Sequence, residues 1–182
     1  MLGLYTGARI EELSQLHIVD VRHINGIWAI DINDNADDKR IKNNSSERSI
    51  PIHPFLIDVL QFPKYIDSIQ ASGEERDFPS LKRIGHKYGH AVSKWFGKRM
   101  ERLDMPKGKS FHSFRHTFTT NFLHHGVDPH VIDWLTGHAT PGKTVGRYGK
   151  PPQDPAVLLP HLMKLNFGID LSHLVNSRFV VL

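Results

Sequence analysis

From Pro54 onward the apolar residues of this chain recur at helical spacing, while one earlier stretch alternates at period two. Trp28, Ile30 and Ile32 alternate with Ile27, Ala29 and Asp31, the pattern of a half-buried strand. Val19 and Val21 offer a short partner strand. Arg48 to Ile52 offers a third, and Pro51 confines it to a sheet edge because proline has no N–H for the ladder. Helical patterns surround this insert. Ile10, Leu13 and Leu16 follow Thr6, a plausible N-cap. Phe55, Leu56, Val59 and Leu60 mark a helix ended or kinked by Pro63. Tyr88, Ala91, Val92, Trp95, Phe96, Met100 and Leu103 form a long stripe, and Phe111, Phe114, Phe118 and Phe122 another. Asp128-Pro129 and Asp154-Pro155 each pair an N-cap with proline at the first helical position, and Gly137 closes the first of these helices. The expected class is mainly α (α+β), with a small three-stranded antiparallel sheet near the N-terminus.

Composition narrows the chemistry. A length of 182 residues suits one domain, and 39% apolar with 23% charged residues suits a packed core. The absence of cysteine excludes disulfides, thiolate zinc sites and a cysteine nucleophile. Apolar runs fall short of the ~20 residues that span a bilayer. Arg9, Glu11 and Glu12 interrupt the start too early for a signal peptide. A net charge of +4 permits a polyanionic partner without requiring one.

Three sets of residues bear on function. Gly137-His-Ala-Thr-Pro-Gly142-Lys143-Thr144 matches a P-loop pattern, but helix caps rather than a strand precede it. His112 and His116 have the spacing of two metal ligands on one helix, with His124, His125, His130 or a carboxylate needed as a third; no Glu follows His112, and hydrogen-bonded or exposed histidines account for the pattern more simply. The third set, Arg9, Lys42, His112, Arg115, His138 and Tyr148, suits phosphodiester chemistry. Arginine forks hold phosphate oxygens, and a hydroxyl nucleophile and a proton donor complete the requirement. Taken singly, each has a simpler reading: Arg9 pairing with Glu12 or Glu11, Arg115 binding a carbonyl, Tyr148 packing in the core.

In order along the chain, four boxes change that balance. Thr6-Gly-Ala-Arg9-Ile-Glu-Glu12-Leu resembles the first arginine box of the tyrosine recombinases, the phage integrase family. Lys42, six residues before Arg48 and nine before Pro51, is similar to the family's hairpin lysine; Lys39 and Arg40 compete with it, and the spacing selects Lys42. His112-Ser-Phe-Arg115-His116-Thr117 resembles the H-x-x-R box, and Leu135-Thr-Gly137-His138 followed by Arg147-Tyr148 the closing motif. The resemblance implies a site-specific DNA recombinase. Tyr148 attacks phosphorus and leaves a 3′-phosphotyrosyl link, Arg9 and Arg115 clamp the phosphate, His112 helps take the Tyr148 proton, and His138 hydrogen-bonds the phosphate. Lys42 protonates the 5′ oxygen, and Glu12 orients the cations. It implies no metal or nucleotide cofactor. It implies double-stranded DNA, other recombinase protomers and accessory DNA-bending proteins as partners, no membrane, and a cytoplasmic, nucleoid-associated location. A DNA-binding remnant of the same fold, without activity, is the alternative.

The resemblance implies residues 1–152 as a catalytic domain lacking its first helix and the N-terminal DNA-binding domain, with apolar surface exposed near Leu2, Leu4 and Leu13. Residues 153–182 are then a tail. Val157, Leu158, Leu162 and Leu165 suit docking either on a neighbouring protomer or on the chain's own domain. Arg9, Lys42, Arg115 and two histidines are expected to converge on one phosphate, with the acidic residues elsewhere.

Overall fold

The computed structural model describes residues 1–138 and 151–176. Seven helices and three strands are seen among them: α1 (Leu2–Thr6), α2 (Ile10–Ser14), β1 (Val21–Ile24), β2 (Ile27–Ile32), β3 (Arg48–Pro51), α3 (Phe62–Ala71), α4 (His90–Arg102), α5 (His112–His124), α6 (Pro129–Thr136) and α7 (Pro155–Leu162). The class is mainly helical with a three-stranded antiparallel sheet, as the periodicity indicates. No helix among the described residues is long and apolar enough to cross a membrane.

The sheet runs β1-β2-β3, with Ile30 opposite Val21 on one side and Ile50 on the other. Pro51 lies on β3, an edge strand, as its missing N–H requires. Asn25 and Gly26 join β1 to β2 with φ of 51° and 82°. Two positive φ values make the hairpin turn whose twist matches the strands, and Asn-Gly is the dipeptide best suited to it. Val19 does not join the sheet. It sits in a 3₁₀ turn, Ile18–Asp20, and is 76% exposed, because the chain needs that turn to re-enter from α2.

The inner face of the sheet (Ile30, Ile32 and Ile50) joins Phe118 and Phe122 of α5, Leu135 of α6 and Leu158 and Leu162 of α7 in one core. Phe118 and Phe122 are fully buried, in T-shaped contact at 4.5 Å. Each such side chain contributes roughly 2–3 kcal/mol through its burial. Leu158, Leu162 and Leu165 are buried on the chain's own core, whereas Val157 faces solvent.

Three further local expectations change. Thr6 does not cap α2. It is the last residue of α1, fully buried, and its hydroxyl donates to the Leu2 carbonyl at 2.7 Å. Gly7, at φ 62°, then reverses the chain, and Arg9 becomes the N-cap. Pro63 ends no helix; a single π-turn over Phe55–Val59 stops by itself, and Pro63 opens α3, where its missing N–H has no partner to lose. The stripe from Tyr88 to Leu103 is mostly uncovered: on α4 only Phe96 is buried, and Trp95 is 63% exposed. Near the N-terminus Leu4 and Leu13 are buried, and the apolar opening there is a cavity of about 300 Å³ lined by Met1, Leu2, Ile10, Val92 and Phe111.

Candidate active site

The site begins at the turn between α1 and α2. Glu12, in the first turn of α2, accepts the Arg9 backbone N–H at 2.8 Å through Oε2, satisfying an amide that the helix leaves unpaired. Its other oxygen accepts from Arg9 Nη1 at 2.5 Å. Glu12 is buried and also holds Arg48, whose Nη2 donates to Oε2 at 2.9 Å. Burial by itself raises the Glu12 carboxyl; the charges and hydrogen bonds of Arg48 and Arg9 outweigh it and hold the carboxyl below the usual range.

Arg48 crosses the core to do this. Its Nε donates to the Leu135 carbonyl at the end of α6 at 2.8 Å, and its Nη1 to the Ser46 carbonyl at 2.6 Å. The α6 helix ends in Gly137 at φ 65°, and a Cβ there would lie 2.7 Å from Arg48 Nη1. Glycine at 137 therefore serves both the left-handed helix end and the guanidinium packed against it.

Arg115 projects from α5 and is 2% exposed. Its Nη1 donates to the Gly7 carbonyl at 2.8 Å, tying α5 to the turn that presents Arg9. Its Nε and Nη2 are buried and have no hydrogen-bond partner among the described residues. Burial and the charges of Arg9 and Arg48 lower its pKa to about 10, so it stays charged at neutral pH. The simpler readings of Arg9 and Arg115 both hold, since one pairs with Glu12 and the other binds a carbonyl. Neither contact uses all the donors of its guanidinium.

His112 opens α5 and lies beside His116, ring centroids 4.8 Å apart. His138 follows Gly137, with Nδ1 3.3 Å from the Thr136 hydroxyl and 3.7 Å from the Asp133 carboxylate. The pKa of His112 is lowered by burial, then by His116, Arg115 and Arg9. That of His138 is lowered by burial, then by Arg115, Arg9 and Arg48, against Asp133. Both histidines thus sit within the field of the same arginines. Glu12 and Asp133 are the carboxylates of this region, so acidic residues are not confined elsewhere: without Glu12, Arg9 and Arg48 would face each other uncompensated.

Lys42 is exposed in the segment joining β2 to β3. Lys39 is buried, its ammonium 2.8 and 2.7 Å from the two Asp20 oxygens and 2.5 Å from Asn33 Oδ1. Arg40 turns its guanidinium back onto the carbonyls of Asp37 and Lys39. Tyr148 and Arg147 lie outside the described residues, as does most of the P-loop-like segment; what precedes Gly137 is helix α6, not a strand, and the nucleotide-binding reading falls with it. Among the described residues no three His, Asp or Glu side chains group as metal ligands. Arg48 and Ser46 are the residues that local patterns did not single out for the site. Arg48 served only as a spacing mark, and nothing local shows that it reaches α2 and α6.

Residues 1–153 match the phage integrase family. The chain is similar to a tyrosine recombinase of Thermosipho africanus, 26% identical over 134 residues that cover 74% of this chain and 42% of that protein. It is similar to the tyrosine recombinase XerC of Chlamydia caviae, 30% identical over 148 residues, 76% of this chain and 46% of that protein. The chain thus spans less than half the length of these relatives. Its fold resembles that of the XerH site-specific recombinase bound to its difH substrate in a pre-cleavage complex, with a TM-score of 0.54 and 21% identity over 76% of this chain and 38% of that one. The family match spans most of the sequence, takes in every motif from Arg9 to Tyr148, and agrees with the fold: the chain belongs to the phage integrase family.

Proposed function

We propose that this chain carries the strand-cleaving centre of a site-specific DNA recombinase and that Tyr148 is its nucleophile. The supporting observation is Arg115: a buried, charged guanidinium with two nitrogens unpartnered among the described residues, in the field of Arg9 and itself acting on both site histidines. Buried donors of this kind are matched by an anion with several acceptor oxygens, and the non-bridging oxygens of a phosphodiester fit that need.

In the proposed reaction the Tyr148 phenol oxygen attacks phosphorus, and the bond from phosphorus to the 5′ oxygen breaks. The phenol proton passes toward neutral His112, and Lys42 gives a proton to the departing 5′ oxygen. Arg9 and Arg115 hold the charge that builds on the non-bridging oxygens, and His138 donates to one of them. Attack by a 5′ hydroxyl reverses every step, so the bond energy is kept and no metal or nucleotide enters the scheme. Duplex DNA is the substrate, and further protomers and DNA-bending proteins are its proposed partners. With Leu158, Leu162 and Leu165 packed on the chain's own core, only the exposed part of the tail from residue 153, Val157 and Met163 among it, is proposed to dock on a neighbouring protomer.

A library of nicked duplexes with randomised sequence, incubated with the protein in chelator, tests the reading. A denaturant-resistant protein–DNA adduct is expected, and Tyr148→Phe is expected to abolish it. Adduct formation by the Tyr148→Phe variant, or complete dependence on added metal, would overturn the mechanism.

A further inference from the structure

The segment that carries Lys42 is held from both sides. On its N-terminal side Lys39 is sunk in the ion pair with Asp20, 3% and 5% exposed as side chains, and capped by Asn33. Next to it Gln15, itself buried at the end of α2, binds the backbone of Arg40 with both ends of its amide. Gln15 Nε2 donates to the Arg40 carbonyl at 2.9 Å, and the Arg40 N–H donates to Gln15 Oε1 at 3.0 Å. Ile41 packs against the core. On the C-terminal side Ser46 N–H donates to the Asn43 carbonyl at 2.9 Å, and its hydroxyl donates to Asn43 Oδ1 at 2.8 Å. Arg48 holds the Ser46 carbonyl, and Arg9 Nη1 lies 3.5 Å from the Ser46 hydroxyl. Lys42 therefore stands between an anchored Ile41 and an anchored turn.

Such anchoring exceeds what a solvated loop needs. A surface lysine avoids the desolvation that Lys39 and Asp20 incur, and a long connection tolerates mobility without loss to the core. The ties also link the segment to the arginine box. Gln15 follows α2, the helix that carries Glu12, and Ser46 touches Arg9 and Arg48.

We infer that Gln15, supported by the Lys39–Asp20 pair, is a positioning residue that sets where Lys42 meets the departing 5′ oxygen. The inference rests on the assignment of Lys42 as the proton donor. Gln15 touches no reacting atom; it acts by fixing the backbone two residues before Lys42. Proton transfer falls off steeply when the donor is misplaced, so loosening Arg40 slows cleavage in the one step that needs that proton.

The test compares an adduct-forming duplex from the nicked library with the same duplex carrying sulfur in place of the scissile 5′ oxygen. A thiolate leaves without a proton. Lys42→Ala is expected to be slow on the oxygen substrate and restored on the sulfur one; if sulfur does not restore it, Lys42 is not the donor, and this inference falls with that assignment. Given that restoration, Gln15→Met is expected to slow oxygen cleavage about 10- to 100-fold and to return to within about twofold of wild type on sulfur. Gln15→Glu, which keeps the acceptor for the Arg40 amide and loses the donor, is expected to lie between and to serve if the Met variant does not fold. Equal slowing on both substrates, or no slowing, would overturn the positioning role. Hydrogen exchange reads the same device without DNA. Gln15→Met is expected to expose the amides of 40–46 to exchange while α5 and α6 keep their protection. Unchanged exchange at 40–46 would overturn it even if the chain formed no adduct.

Discussion

Glu12 and Arg48 meet at 2.9 Å in the interior, with side chains 4% and 1% exposed, and this pair joins α2 to β3. A buried charge left without its partner is far more costly than one never buried. Arg48→Met is therefore expected to lower unfolding stability by about 3–5 kcal/mol, read from denaturant midpoints. Arg48→Lys is expected to recover little, because a single ammonium cannot reproduce the fork that serves Glu12, Ser46 and Leu135 together. Adding Glu12→Gln to Arg48→Met should cost less than the sum of the two single changes, since the orphaned carboxylate is then gone.

Gly7 is a second point where fold and site share one residue. Its φ is 62°, and a Cβ there would lie 2.6 Å from the Phe118 ring. Its carbonyl also receives Arg115. Gly7→Ala combines left-handed strain with overpacking and is expected to cost about 3 kcal/mol in thermal or denaturant unfolding. Adduct formation is expected to fall further than the loss of folded protein explains, because Arg115 moves with the turn.

Asp77 gives a pH signature to stability. It is fully buried, and both carboxyl oxygens lack a partner among the described residues. Burial and the nearby Asp20 push its pKa up to about 7, against Arg76 and Lys39. The folded state then holds a proton that the unfolded chain releases near pH ~3.9, so stability falls as pH rises from about 4 to about 7 and levels above it. Asp77→Asn is expected to flatten this limb in unfolding curves taken across that range, and to be more stable than wild type at pH 8.

The proposed roles of the histidines predict the pH dependence of cleavage. Burial and then nearby charges, Arg115 among them, hold both His112 and His138 below the ordinary imidazole range. If neutral His112 receives the Tyr148 proton, the second-order rate of adduct formation should stay level from pH 8 down to the ordinary imidazole value of about 6.5 and fall only below it. An acid limb already present at pH 7.5 would contradict the assignment. His112→Gln is expected to remove the limb along with most of the rate.

What could be read from residue order alone was local. Asp128 and Asp154 accept the N–H groups of His130 and Ala156 as their position before proline indicates, since a cap and its amide are two residues apart. The alternation of residues 27–32 gave β2 for a similar reason, because each side chain's face follows from its neighbours. The ordered boxes from Arg9 to Tyr148 carried the family, which depends on spacing and not on coordinates. Local patterns were silent where contacts span the chain. Nothing near Arg48 shows that it bonds the carbonyl of Leu135, or near Arg115 that it bonds that of Gly7, because only packing of α1, β3, α5 and α6 on one core brings those groups together. Thr6 follows the same rule: its hydroxyl suits a cap, but the turn at Gly7 buries it at the end of the preceding helix. The choice among Lys39, Arg40 and Lys42 shows the division most plainly. Spacing singled out Lys42, and tertiary structure decided what the others do, since a lysine sinks into the interior only where folding brings a carboxylate such as Asp20 to meet it.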